Sequence, residues 1–316
     1  MLNVSLSPHV HSGDSTQKCM AQVLIALAPA LLWSFYQFGI GALLVTLSSV
    51  AFCVLFEFLI TRFILKAPST IGDLSAVVTG VLLGFNVPSN IPIWIVAIGA
   101  LIAIGVAKMS FGGLGCNIFN PALAGRIFLL IAYPVQMTTW PVEAGYADVA
   151  TGATPLALIS QYMAGNTGVT LPTIMDCLVG TTGGSLGEVA ALAILIGGIY
   201  LIARKTITWH IPVSILVSAF VFGFLFFGMD VELAVTEVLC GGLMLGAFFM
   251  ATDYVTSPMN ARGQLLYGVC IGFLTMVIRR YGAYPEGMSF AIFIMNAFTP
   301  LINKYVNPRR FGVVKK

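Results

Sequence analysis

The chain has 316 residues, 58% of them hydrophobic and only 9% charged, where a soluble globular domain carries roughly a quarter charged residues. That balance excludes water as the main solvent of the fold. The formal charge of +3 is too small to point to nucleic acid, so the placement of the charges carries the information.

Residues 1–19 are polar, with His9, His11, Asp14 and Lys18, and lack the basic, apolar and small-residue sections of a cleavable signal peptide. They are expected to form a cytoplasmic N-terminus. Apolar runs long enough for a bilayer then recur along most of the chain. Hydropathy predicts about ten spans in two groups of five. The first group, within 20–133, is Met20 to Phe38, Ile40 to Thr61, a short Leu74 to Phe85, Ile91 to Ala107 and a short Ile118 to Tyr133. The second, within 186–305, is Leu186 to Ala203, Ile211 to Phe227, Val235 to Met250, Gln264 to Ile278 and Met288 to Tyr305. A polar stretch, 134–185, separates them, and a basic tail, 306–316, closes the chain.

In each group the third segment is Gly-rich and ends in a polar, Pro-containing turn, Gly80 to Pro88 in one and Gly246 to Pro258 in the other. This suggests a repeat. A unit of five spans is odd, so the second copy must enter the membrane from the opposite side, giving two inverted five-helix repeats with broken short helices in an all-α integral membrane protein. With the N-terminus in the cytoplasm, Lys18, Arg62, Lys66, Lys108, Arg204, Lys205, Arg262, Lys304 and the C-terminal basic residues all fall inside. Arg279 and Arg280 fall outside, Arg126 lies inside a span, and 134–185, with Glu143, Asp148 and Asp176 and no Lys or Arg, is external.

Within that external stretch, Asp148-Val-Ala-Thr151-Gly152-Ala153-Thr154-Pro155 asks for an explanation. Gly152 and Ala153 leave the Thr154 hydroxyl unshielded, Asp148 supplies a nearby carboxylate, and Pro155 suits the first turn of a helix. The bland alternative is a capped helix start after a turn. Asn117, Asn120 and Arg126 lie at or inside a short span, where polar groups are costly unless they face protein, water or a ligand. Either Asn120 and Arg126 satisfy broken-helix carbonyls or pair with an acid such as Glu57, or they contact a flavin or an ion. Glu57, Asp73 and Asp253 are ionisable at membrane depth and form a possible ion path. For Asp73, helix capping is the stronger reading; for Asp253, the neighbouring Thr252, Thr256 and Ser257 oxygens favour a cation or proton role. Six cysteines stand singly, with no CxxC pair and no spacing suited to zinc or an iron–sulfur cluster, and read as buried apolar filler.

The Asp148–Thr154 run resembles the flavinylation motif DxxxGA[ST], and Gly112-Gly-Leu-Gly-Cys-Asn-Ile-Phe-Asn-Pro-Ala-Leu-Ala-Gly-Arg126 resembles the FGGxGxNxFNPAxxGR signature of one family. That family comprises the D component of the Rnf complex and the B component of the sodium-pumping NADH:quinone reductase. Together with Gly72 to Gly80 and Phe249 to Pro258 the resemblance runs from the first span to the last. The short N-terminus favours the Rnf branch. One departure is Thr151, where Ser is commoner.

The resemblance implies FMN esterified through its phosphate to Thr154, with Asp148, Thr151, Gly152 and Ala153 as its motif, while Asn120 and Arg126 stay cofactor-contact candidates on their placement in the span alone. It also implies a possible non-covalent riboflavin. No catalytic residue and no metal ligand is expected in this chain, which has no strand-associated GxGxxG for NAD. The implied setting is a prokaryotic inner or plasma membrane, with the remaining Rnf components (A, B, C, E and G) and a flavin transferase as partners. Its implied role is electron transfer in a complex coupling ferredoxin and NAD oxidoreduction to sodium-ion or proton translocation. The competing class is a channel or secondary transporter, which also uses inverted repeats and needs no flavinylation motif.

Overall fold

The computed structural model describes residues 15–141, 146, 151–166, 170–180, 182–189, 191–282, 284 and 286–306. Asp148 and Glu143 lie outside these residues, as do His9, His11 and the C-terminal basic cluster. Among the described residues every regular element is helical, and one isolated bridge pairs Pro141 with Thr151.

The first half opens with α1 (Thr16–Phe38), which the Ser15 hydroxyl caps by accepting from the Lys18 N–H at 3.3 Å, and whose end is Gly39 at φ 62°. α2 (Ile40–Leu59) continues through a π-helical turn, Ile60–Ile64. Then come the short α3 (Ser75–Phe85), α4 (Ile93–Leu101) with its own π turn Ile102–Val106, and α5 (Pro121–Ala132). The intervening stretch holds α6 (Pro134–Met137), α7 (Pro155–Met163) and α8 (Ile174–Val179). The second half is α9 (Ala191–Ala203), α10 (His210–Phe226), α11 (Val231–Leu239), α12 (Leu243–Leu245) running into a π turn Gly246–Met250, α13 (Ala261–Tyr281) and α14 (Met288–Tyr305).

Among the described residues, four helical segments are long and apolar enough to cross a membrane: Thr16–Phe38, Ile40–Ile64, Ile93–Phe111 and Ala261–Tyr281. A fifth arises if Val231–Leu239 and Leu243–Met250, bent by 62°, count as one span. The remaining apolar helices, α3, α5, α9 and α10, are shorter. The expected eighth span is therefore broken, with Gly241 at φ 68° in the kink. Leu47, Phe63, Val217 and Phe298 point outward from the bundle, as lipid-facing side chains do.

Small residues let the helices approach. A Cβ on Gly80 of α3 would lie 2.6 Å from Val50 Cα of α2, and the Ser49 hydroxyl donates to the Gly80 carbonyl at 2.7 Å. Between α10 and α13, a Cβ on Gly268 would lie 1.8 Å from Ser214 Oγ, so a larger residue there would force the helices apart.

Several expected boundaries shift by three or four residues, and one by five. The sequence places a span start at Leu186, whereas helix begins at Ala191. Residues 185–188 instead run beside the chain that leaves α3: the Gly187 N–H donates to the Phe85 carbonyl at 2.8 Å and the Leu186 N–H to the Val87 carbonyl at 3.4 Å. Non-helical backbone at this depth is tolerated because each segment satisfies the other.

Candidate functional site

α5 organises the centre of the molecule. Its sequence Asn120-Pro121 is a strong helix start: the Asn120 Oδ1 accepts from the Ala122 N–H at 3.1 Å and the Leu123 N–H at 3.4 Å, and proline occupies the first turn, where no N–H partner is needed. The Asn120 Nδ2 donates to the Met250 carbonyl at 3.2 Å, satisfying the end of the π turn after α12. This realises the expectation that Asn120 serves a broken helix.

Asn120 also lines a cavity of about 80 Å³, together with Ser75, Thr79, Lys108, Asn117 and Asp253. The Asp253 carboxylate accepts from the Thr256 hydroxyl at 3.3 Å, while the Asn117 side-chain amide donates to the Phe119 carbonyl at 3.1 Å. Of the oxygens expected beside it, Thr256 contributes, whereas the Thr252 hydroxyl donates to the Phe248 carbonyl at 2.7 Å.

Behind this cavity Glu57 is fully buried, 2.5 Å from Lys108 Nζ, and accepts from the Thr70 hydroxyl at 2.6 Å. Lys108 Nζ donates to Ser75 Oγ at 2.8 Å. Glu57 is thus neutralised by Lys108 and is not the partner of Arg126. Asp73 is half-buried and does not cap α3; the cap position is Leu74 at φ 61°, with no side-chain bond. The 3₁₀ turn Ile71–Asp73 ends before the helix begins and sets Asp73 one residue too early to reach the first-turn amides.

Arg126 lies about two turns along α5 from Asn120 and is 2% exposed. Its guanidinium donates to Asn86 Oδ1 at 2.5 Å, to Glu188 Oε1 at 3.3 Å and to Glu286 Oε2. Two carboxylates therefore surround one guanidinium. Glu188 belongs to the segment beside the end of α3 and Glu286 to the turn before α14, so neither offers a local motif in the sequence. A second buried pair has no local signal either: Arg279 Nη1 lies 2.8 Å from Glu237 Oε2, and Arg279 Nη2 donates at 3.0 Å to the Cys240 carbonyl freed by the kink. Burial removes both Lys108 and Arg279 from the loop charges that set orientation.

Glu188 and Glu286 line a second, smaller cavity of about 20 Å³ with Thr154, Cys177, Cys240 and Gly241. Thr154 is the N-cap of α7: its hydroxyl accepts from the Ala157 N–H at 3.3 Å, Pro155 fills the first turn, and the side chain is 7% exposed. The motif is thus also a helix cap in the fold. Thr151 and Ala153 are exposed and Gly152 half-buried, the Gly152 N–H donating to the Trp140 carbonyl at 3.0 Å. Asn120 and Arg126 do not touch Thr154; they lie at opposite ends of a polar line, with Asn120 in the larger cavity and Arg126 reaching the acids of the smaller one.

Residues 3–312 match the NQR2, RnfD, RnfE family. The chain belongs to that family. Among its relatives, the D component of the Na(+)-translocating ferredoxin:NAD(+) oxidoreductase complex of Acetobacterium woodii is 47% identical, the match covering 99% of this chain and 96% of the relative. The D component of the proton-translocating ferredoxin:NAD(+) oxidoreductase complex of Clostridium ljungdahlii is 41% identical over 99% and 96%. The D component of the ion-translocating oxidoreductase complex of Actinobacillus succinogenes is 35% identical over 99% and 98%. Family membership agrees with the apolar helices in making the chain a multi-pass membrane protein.

Proposed function

We propose that this chain is the D-type electron-transfer component of an Rnf complex, carrying FMN as a phosphoester on Thr154. Full-length similarity to the D components of ferredoxin:NAD(+) oxidoreductase complexes supports the setting, in which electron flow is coupled to movement of sodium ions or protons. The other components, A, B, C, E and G, would hold the iron–sulfur and nicotinamide chemistry, and a flavin transferase would attach the FMN.

The observation that carries the reading is the placement of Thr154. Its hydroxyl stands at the N-terminus of a nine-residue helix whose first turn carries no acid. A phosphate ester at that position would face the positive end of the helix dipole, with Arg126 set between the Glu188 and Glu286 carboxylates that line the adjoining cavity, so the helix start fits the group. Bound there, FMN would supply one- and two-electron chemistry, while the chain supplies a tether that keeps its local concentration high. The cavity beside Thr154 is too small for the ring system, which would extend over the loop surface where Thr151 and Ala153 are exposed. A non-covalent riboflavin would need the larger cavity, about 80 Å³ with an apolar wall of Val78, Leu82, Phe248 and Phe249 and a polar rim of Thr79 and Asn117, to widen around it.

The same reading takes α1–α5 and α9–α14 as ten spans in two inverted repeats, counting α11 and α12 as one, with both termini cytoplasmic and the Thr154 loop outside a bacterial plasma membrane. Short α3 and kinked α11–α12 in matching positions support it. Asp253, in its polar cavity, is the favoured cation or proton ligand among Glu57, Asp73 and Asp253, since Glu57 is already paired.

The deciding experiment is the intact mass of the chain after co-expression with its transferase, read beside ultraviolet fluorescence of the denatured band. One FMN per chain at the peptide holding Thr154 supports the proposal. A colourless chain with that peptide unmodified ends it and leaves the transporter reading.

A further inference from the structure

The sequence separates Cys177 and Cys240 by 63 positions and gives no reason to pair them, yet the fold sets their sulfurs 2.7 Å apart. Cys177 sits in α8, which a capping box between Thr173 and Asp176 holds in place. Cys240 sits at the kink between α11 and α12, its carbonyl fixed by Arg279. The two side chains are 3% and 4% exposed and pack with Leu156 of α7 as a small apolar cluster apart from the main core. Both face the cavity that Thr154 lines. An apolar core contact explains burial, but it does not require two sulfurs from distant elements to meet closer than van der Waals separation.

We propose that Cys177 and Cys240 form a reversible dithiol–disulfide couple that clamps the loop carrying Thr154 to the kink between α11 and α12. The chemistry is exchange with a small disulfide, R–S–S–R. When α8 moves off the kink and uncovers the buried sulfurs, the Cys177 thiolate attacks one sulfur of that disulfide, forming a mixed disulfide and releasing one RS⁻. Cys240 then gives up its proton and attacks the Cys177 sulfur, forming the internal bond and releasing the second RS⁻. Two protein thiols are oxidised, one external disulfide is reduced to two thiols, and two protons leave the chain. Cys177 is the attacking partner because the Cys240 S–H donates to its sulfur, which also holds the Cys177 thiol below its ordinary range. In the oxidised form α8 cannot leave the kink, and the cavity under Thr154 is held shut; in the reduced form only the packing of Leu156 and its neighbours opposes opening.

The test uses the purified complex and needs no flavin readout, so it stands or falls separately from the proposed function. The complex is incubated with oxidised glutathione or with dithiothreitol, quenched with N-ethylmaleimide, denatured, and the chain weighed and mapped without reduction. After dithiothreitol all six thiols should be alkylated; after oxidised glutathione Cys177 and Cys240 should drop out of the alkylated set and appear as a cross-linked peptide pair, whatever glutathione the exposed Cys116 takes up. In a Cys240→Ser complex, Cys177 should retain one glutathione as a trapped mixed disulfide, and in Cys177→Ser no glutathione should be trapped at Cys240. Six alkylated thiols after oxidised glutathione would overturn the proposal. So would a cross-link through the exposed Cys116 in place of this pair.

Discussion

Thr154 plays two roles on the proposed function, helix cap and attachment point, and substitutions separate them. Its hydroxyl accepts a 3.3 Å bond from the Ala157 N–H, a long contact. Removing an N-cap hydroxyl costs about 1 kcal/mol on average, and this geometry puts Thr154→Ala toward the lower half of the usual range of roughly 0.5–2 kcal/mol. That is a factor of about 8 or less in a folding equilibrium, too little to remove the protein from the membrane. Asparagine caps at least as well as threonine but has no hydroxyl to esterify, whereas serine keeps both functions. The four proteins should therefore sort differently in two assays. In thermal dispersion of the complex, wild type, Thr154→Ser and Thr154→Asn should coincide while Thr154→Ala falls slightly. In fluorescence of the denatured band, and in ferredoxin-dependent NAD⁺ reduction by membranes, wild type and Thr154→Ser should be active while Thr154→Asn and Thr154→Ala are both dark and inactive. A fluorescent band from Thr154→Asn, or electron transfer that follows cap strength instead of the hydroxyl, refutes the reasoning.

Other outcomes follow from the buried charges. Lys108→Met leaves the fully buried Glu57 without its 2.5 Å partner and should cost roughly 3–5 kcal/mol, while Lys108→Met combined with Glu57→Gln should recover most of it; a double variant no more stable than the single in thermal dispersion contradicts the pairing. Arg126→Met strands Glu188 and Glu286 and should be similarly costly, and Arg126→Lys should fall between, because an ammonium cannot reach three acceptors in one plane; equal melting of the two variants would argue against the fork. Asp253→Asn keeps the shape of the larger cavity and should fold normally but lose ion-coupled activity, measured as uptake of ²²Na⁺ or acidification by inverted vesicles; unchanged uptake and acidification take Asp253 out of the ion path.

The parts of the fold readable from sequence are those set by local rules. The apolar runs announce their own helices, Met20 to Phe38 and Ile40 to Thr61 dividing at the position where Gly39 ends α1. The illegible parts depend on distant segments meeting. Glu188 and Glu286 carry no motif, so nothing local reveals that they, and not Glu57, neutralise Arg126. Hydropathy misplaces the start of α9 because Leu186 is apolar, whereas the close pass of Gly187 against Phe85 holds that stretch out of a helix. Six scattered cysteines read as filler in the sequence, and only the kink at Gly241 brings two of them together.

The same geometry limits how a redox event and an ion could be linked. α5 carries Asn120 at the larger cavity and Arg126 beside the acids of the smaller one, six residues and so about 9 Å apart along the helix axis. Two unit charges at that separation interact by about 2 kcal/mol at an effective dielectric constant near 20, more than a tenfold change in an equilibrium constant. A charge gained beside the Arg126 cluster would therefore change the affinity for a cation near Asn120 without any large movement of the bundle. That cluster, with two carboxylates to one guanidinium, holds one negative charge in excess when all three are ionised. Burying such an excess is costly unless a proton or a monovalent cation accompanies it. An electron arriving near Thr154 would strengthen that demand and its departure would relax it, so coupling would need only that the compensating cation enter from one face and leave by the other.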